Sequence, residues 1–123
     1  MNQSPQNYDK ISYMKITIIG TGFVGLTSAV VYASFGHEVW GIDIDQRKID
    51  LWNQGVVSFY EPKLAEMVQD GLEKEKLTFT TYYKEAVLGS KIVMICVGTP
   101  SNEDGSVDMS YIKASLESLA PYL

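Results

Sequence analysis

The chain has 123 residues, 46% of them apolar and 20% charged, with a net charge of −5. That length fits one domain with a real core, and the acidic balance excludes the concentrated basic face that a nucleic-acid partner requires. No apolar stretch approaches the roughly 18 residues of a membrane span, the polar N-terminal segment lacks the apolar centre of a signal peptide, and a lone cysteine, Cys96, forbids an intrachain disulfide, so a cytoplasmic location with no membrane partner is expected.

Residues 1–13 read as a flexible leader before a single domain over 14–123. "KITIIG" (15–20) has the β-branched run of a short buried strand closed by glycine. "FVGLTSAVVYASF" (23–35) follows as a small apolar helix, with Gly36 where a left-handed cap wants glycine. "HEVWGID" (37–43) is the second strand, and "QRKIDLWNQG" (46–55) a helix with Ile49, Leu51 and Trp52 on one side. After the loop "VVSFYEP" comes an amphipathic helix, "KLAEMVQDGL", with Leu64, Met67 and Val68 inward. "KLTFTT" (76–81) alternates as a third strand, and "YKEAVLG" is a helical turn or two. "KIVMICVG" (91–98) is continuously apolar, the pattern of an interior parallel strand covered on both faces. The tail "DMSYIKASLESLAPYL" is helical until Pro121. This alternation predicts an α/β fold with a doubly wound parallel sheet, and right-handed crossovers give the strand order 3-2-1-4.

Gly20, Gly22 and Gly25 form a G-x-G-x-x-G turn between the first strand and the first helix, and Asp43 ends the next strand 18 positions after Gly25. The pattern alone is weak, but this context is that of a Rossmann-type dinucleotide site. Gly20 permits the tight turn, Gly22 lets the backbone approach a pyrophosphate, and Gly25 lets helix and strand pack closely. The unpaired N–H groups opening the helix attract phosphate oxygens. The competing reading is a tight turn without a ligand. Asp43 would accept hydrogen bonds from an adenosine ribose and repel the 2′-phosphate of NADP; no arginine follows it directly, though Arg47 and Lys48 lie a turn later. "VGTPS" (97–101) brings Val97, Gly98, Thr99 and Pro100 to the sheet's C-terminal edge beside the switch-point crevice, where an ordinary strand-to-loop turn serves equally well. Cys96, inside an apolar strand, reads as an inaccessible small hydrophobe rather than a nucleophile. His37, the only histidine, reads as a solvated loop residue remote from the ligand edge.

The stretches "MKITIIGTGFVGL", "GHEVWGIDIDQRKIDLWNQG", "YEPKL" and "ICVGTPSNEDGSVDMSYI" occur in order over nearly all of 14–112. In them the chain resembles the UDP-glucose/GDP-mannose dehydrogenases. The resemblance implies an NAD-binding domain with cofactor contacts at Gly20, Thr21, Gly22, Phe23, Val24, Gly25, Asp43, Lys48, Val97, Gly98, Thr99 and Pro100, and no metal. It implies a parent enzyme, a homo-oligomer of polysaccharide biosynthesis, that oxidises the C6 hydroxyl of a UDP- or GDP-linked sugar to a carboxylate with two NAD. Phe23 stands where the family often has tyrosine, and Lys63 where "YEPGL" has glycine. The family's catalytic cysteine, lysine and acid–base carboxylate lie in segments this chain does not contain, and Cys96 does not match that cysteine's motif. The expectation is therefore an N-terminal cofactor domain that is inactive by itself. Two alternatives remain at this point: a stand-alone NAD-responsive regulatory module, and an S-adenosylmethionine-dependent transferase, which the three-glycine phosphate turn disfavours.

Overall fold

Side chains branched at Cβ are stiff at χ1 and pack well on a pleated surface, so isoleucine-rich segments favour extended chain. The computed structural model describes residues 12–123, leaving most of the expected leader outside the described residues. In it the run Lys15–Ile19 forms β1, followed by β2 (Glu38–Ile42), β3 (Leu77–Thr80) and β4 (Ile92–Ile95). The order is β3-β2-β1-β4 and every pairing is parallel, with Ile18 of β1 level with Gly41 and Met94. Between and after the strands lie α1 (Phe23–Ser34), α2 (Gln46–Asn53), α3 (Pro62–Glu73), α4 (Tyr83–Val87) and α5 (Ser110–Leu119).

Period-two alternation sorts the β1 side chains into two layers. Ile16 and Ile18 enter a cluster with Leu26, Val30, Trp52, Val68 and Phe79, drawn from α1, α2, α3 and β3. Ile19, on the other face, packs with Ile42, Ala86, Val87 and Leu119. Thr17 shares that second face, and its hydroxyl donates to the Ala86 carbonyl, which ties α4 to the sheet. Each fully buried Val, Leu or Ile side chain contributes about 1.5–3 kcal/mol, so the layers hold the strand ends firmly beneath the loops. Helix starts are also specified locally. The Asp45 carboxylate accepts from the N–H groups of Arg47 and Lys48 at the start of α2, a cap worth about 1 kcal/mol. Glu61 caps α3 by accepting from Lys63 N–H, with Pro62 at the first helical position. Lys63 is thus helical, and no glycine is needed there.

Four sequence expectations need correction. β4 is an edge strand among the described residues, with Ile92 43% exposed, because in this order only β1 pairs with it. Consequently Cys96, just past β4, is half-buried rather than inaccessible. Leu51 is exposed, since only Ile49 and Trp52, three apart, share the inward face of α2. His37 is half-buried rather than solvated: its Nδ1 accepts from the Met14 N–H at 3.1 Å, and the Tyr13 ring meets it edge-on.

Candidate functional site

The turn after β1 is held from three sides. Gly20 N–H donates to the Ile42 carbonyl at 2.7 Å, and Gly20 adopts φ +97°, a conformation L side chains rarely take. A Cβ there would stand 2.8 Å from the Cys96 carbonyl. A Cβ on Gly25 would stand 1.7 Å from the Gly20 carbonyl oxygen, so helix and turn are in direct backbone contact. Gly22 is different: nothing lies within 4 Å of where its Cβ would be. It is the N-cap of α1, which begins with no side-chain cap and no acidic residue in its first turn. The first N–H groups of a helix have no intrahelical partner and carry the positive end of its dipole. Open space above unpaired donors is the arrangement that receives a phosphate.

Beside this turn, Asp43 directly follows β2 and is only 8% exposed. Its Oδ2 accepts from both the N–H and the hydroxyl of Thr21, each at 2.9 Å, and its Oδ1 accepts from Asp45 N–H at 3.0 Å. Lys48 Nζ stands 3.6 Å from Oδ2, so the acid is partly neutralised by the cation one turn on. Burial pushes the Asp43 carboxyl up, but the Asp45 and Thr21 N–H groups, the Thr21 hydroxyl and Lys48 outweigh it and hold the group below its ordinary value. Asp43 is therefore an anion at neutral pH.

Turn and acid share a cavity of about 420 Å³ at the C-terminal edge of the sheet, a size within the roughly 300–1,000 Å³ of small-molecule sites. Of the residues singled out from sequence, Gly20, Gly22, Asp43, Lys48, Val97 and Gly98 line it. Thr21 and Gly25 are buried beneath it. Phe23 and Val24 stand exposed where α1 opens, and Thr99 and Pro100 are exposed beyond the cavity wall. Sequence reasoning missed the opposite wall, Tyr83 from α4 with Tyr111, Ser115 and Ser118 from α5. The spacing of those α5 residues, four and then three, marks one helix face, but only the folded sheet shows that it looks onto the cavity. Burial pushes the Tyr83 hydroxyl up, the Ser115 and Ser118 hydroxyls oppose this, and Asp43 adds to it. Cys96 also lines the cavity. Burial raises its thiol, which is therefore protonated and a poor nucleophile at neutral pH. Among the described residues no cluster of three or more potential metal ligands occurs, and no helix is long and apolar enough to cross a membrane.

A parallel 3-2-1-4 sheet with a glycine turn opening its first helix and an anionic side chain ending its second strand defines one half of a Rossmann-type dinucleotide-binding fold. Its open Gly22 cradle suits a pyrophosphate and its carboxylate suits a ribose. The model of the UDP-glucose/GDP-mannose dehydrogenase family, NAD binding domain, matches residues 14–123. The chain belongs to that family, and NAD is the cofactor of the matched domain. It is 45% identical over 100 residues to the GDP-mannose 6-dehydrogenase of Pseudomonas aeruginosa, covering 81% of this chain and 23% of that protein. It is 40% identical over 109 residues to the UDP-glucose 6-dehydrogenase TuaD of Bacillus subtilis, covering 89% of this chain and 24% of the relative. A crystal structure of a ternary complex of GDP-mannose dehydrogenase from P. aeruginosa aligns with a TM-score of 0.83 at 42% identity, over 86% of this chain and 24% of that one. The chain thus spans about a quarter of the length of these relatives.

Proposed function

We propose that this chain is the cofactor-binding part of a nucleotide-sugar 6-dehydrogenase, which oxidises the C6 hydroxyl of a UDP- or GDP-linked sugar to a carboxylate using two NAD. Bound NAD supplies the hydride acceptor. In this reading the chain's own residues seat it: the N–H groups opening α1 hold the pyrophosphate above Gly22, and Asp43 accepts from the adenosine ribose. Val97 and Gly98, which follow β4, line the same cleft. The single observation that carries the reading is the open space at Gly22 beside the buried Asp43 carboxylate, within a domain of this family.

The relatives named above support the substrate class, since they are dehydrogenases of UDP-glucose and GDP-mannose. The only histidine and the only cysteine of the sequence are unsuited to chemistry on the sugar. Oxidising an alcohol needs a base for the hydroxyl proton, and carrying the aldehyde on to the acid needs a trapping thiol. His37 hydrogen-bonds Met14 at the far end of β1, and the Cys96 thiol is held protonated. Calorimetric titration of the chain should give saturable heat with NAD and weaker binding of NADP. Incubation with NAD and UDP-glucose, UDP-N-acetylated sugars or GDP-mannose should give no NADH absorbance above background. Absence of NAD binding would remove the cofactor assignment. Steady NADH production abolished by Cys96→Ser would overturn the division between cofactor part and catalytic part.

A further inference from the structure

Beneath the cleft runs a one-way chain of hydrogen bonds. Trp52 Nε1 donates to Thr21 Oγ1 at 2.9 Å, and Thr21 Oγ1 donates to Asp43 Oδ2 at 2.9 Å. Trp52 and Thr21 are wholly buried. An indole N–H can only donate, so the threonine oxygen must accept from it, and the hydroxyl's single proton is left for the carboxylate. Without the indole, that hydroxyl is a rotor with more than one staggered position. The Thr21 backbone N–H reaches the same Oδ2, while Oδ1 takes only the Asp45 N–H. Each carboxylate oxygen has about two acceptor positions, so Oδ2 is filled and Oδ1 keeps one free.

Trp52 also reaches the glycine turn by a second route. Its ring lies 5.7 Å from that of Phe59, which meets the Phe23 ring edge-on at 5.8 Å. Phe23 is the first residue of α1. One buried indole therefore touches both parts of the cleft, the carboxylate through a hydroxyl and the phosphate-facing helix start through an aromatic contact.

We propose that Trp52 is a positioning residue of the cofactor site: it directs the Thr21 hydroxyl onto Asp43, so that Oδ2 is committed to the protein and Oδ1 is presented to the adenosine ribose. The proposal rests on the reading of this cleft as the NAD site. Trp52 contributes no atom to the cleft lining, and acts on the cofactor only through its neighbours.

The test uses the 123-residue chain with Trp52→Phe, Thr21→Val, Thr21→Ser and the Thr21→Val/Trp52→Phe pair. Two quantities are read: the NMR titration of the Asp43 side-chain carboxyl carbon, and NAD affinity by calorimetry. The charged and titratable groups around that carboxyl are Lys48, Asp45 and Tyr83, and all are retained in every variant. Trp52→Phe should move the Asp43 titration to higher pH and weaken NAD about three- to tenfold, since an oriented hydrogen bond to a charged group is lost. Thr21→Ser, which keeps the hydroxyl, should leave the Asp43 titration at its wild-type position, unlike Thr21→Val. The pair should bind NAD no more weakly than Thr21→Val alone, because the indole N–H acts through the hydroxyl and the phenylalanine ring keeps the aromatic contact with Phe59. If Trp52→Phe does not fold, 3-benzothienylalanine incorporated at position 52, which keeps the bicyclic ring and removes the N–H donor, carries the same test with the same expected results. An Asp43 titration unchanged in Trp52→Phe, whatever Thr21→Val does, would overturn the proposal. Failure of the wild-type chain to bind NAD would instead remove the functional reading, and the Asp43 titration would still decide the role of Trp52.

Discussion

One methyl group, added at Gly25 or at Gly22, should have opposite effects on folding and on binding. On Gly25 the new Cβ would stand 1.7 Å from the Gly20 carbonyl oxygen and 3.4 Å from the Cys96 Cβ. Real Cβ contacts stay above 3.0 Å, and the obstructing atom is backbone, so turn and helix must part by more than about 1 Å. Overpacking of this kind costs about 2–4 kcal/mol. The better helix propensity of alanine offsets about 1 kcal/mol of that, leaving a net loss of about 1–3 kcal/mol. For a domain of this size the melting temperature should fall by roughly 5–12 °C. On Gly22, with φ −72° and ψ −162°, the methyl meets nothing within 4 Å. The N-cap preference for glycine over alanine limits the cost to about 1 kcal/mol. The methyl would nevertheless stand where a pyrophosphate must approach, so NAD affinity should fall at least about tenfold. Thermal melts and calorimetric NAD titrations of Gly22→Ala and Gly25→Ala decide the matter. Wild-type NAD affinity in Gly22→Ala would refute the phosphate cradle, and a wild-type melt in Gly25→Ala would refute the backbone contact.

Asp43 predicts an acid-side stability loss: its folded carboxyl lies below the ordinary value of about 3.9, so its contribution is complete above the unfolded value and is lost as pH falls through the folded one. The stability difference between wild type and Asp43→Asn, from denaturant melts, should therefore be largest above about pH 4 and shrink below it; a difference constant from neutral to strongly acid pH would contradict the assignment. Cys96 lines the cleft and is half-buried, so a thiol reagent should label it measurably but slowly in the native chain, and NAD should slow the reaction further. Labelling at the rate of a free thiol, or labelling indifferent to NAD, would count against its placement at the cleft.

The layering was legible because each strand carries a short apolar signal and the helices between them show inward-facing apolar spacing, as at Leu64, Met67 and Val68, or a closing glycine, as at Gly36. The glycine turn and Asp43 were legible because their spacing follows from what a pyrophosphate and a ribose need. Sequence said less about Cys96, because an apolar run looks the same in an interior strand and at an edge; burial depends on which neighbours are present. The Lys48–Asp43 pair was hidden in the rotation of α2, which brings the side chain back over the strand end. The hydrogen bond from Trp52 to Thr21 joins residues 31 positions apart, and no local pattern announces it. Tyr83, Tyr111 and Ser115 were missed for the same reason, since their wall exists only once α4 and α5 cover the second face of the sheet.

The most direct measurement of the central claim is a crystal structure of the chain grown with NAD. The account predicts pyrophosphate oxygens within hydrogen-bond distance of the N–H groups that open α1, directly above Gly22, and an adenosine ribose hydroxyl on Asp43 Oδ1, with Oδ2 still held by Thr21. NAD bound elsewhere, or bound in this cleft with its ribose away from Asp43, would contradict it.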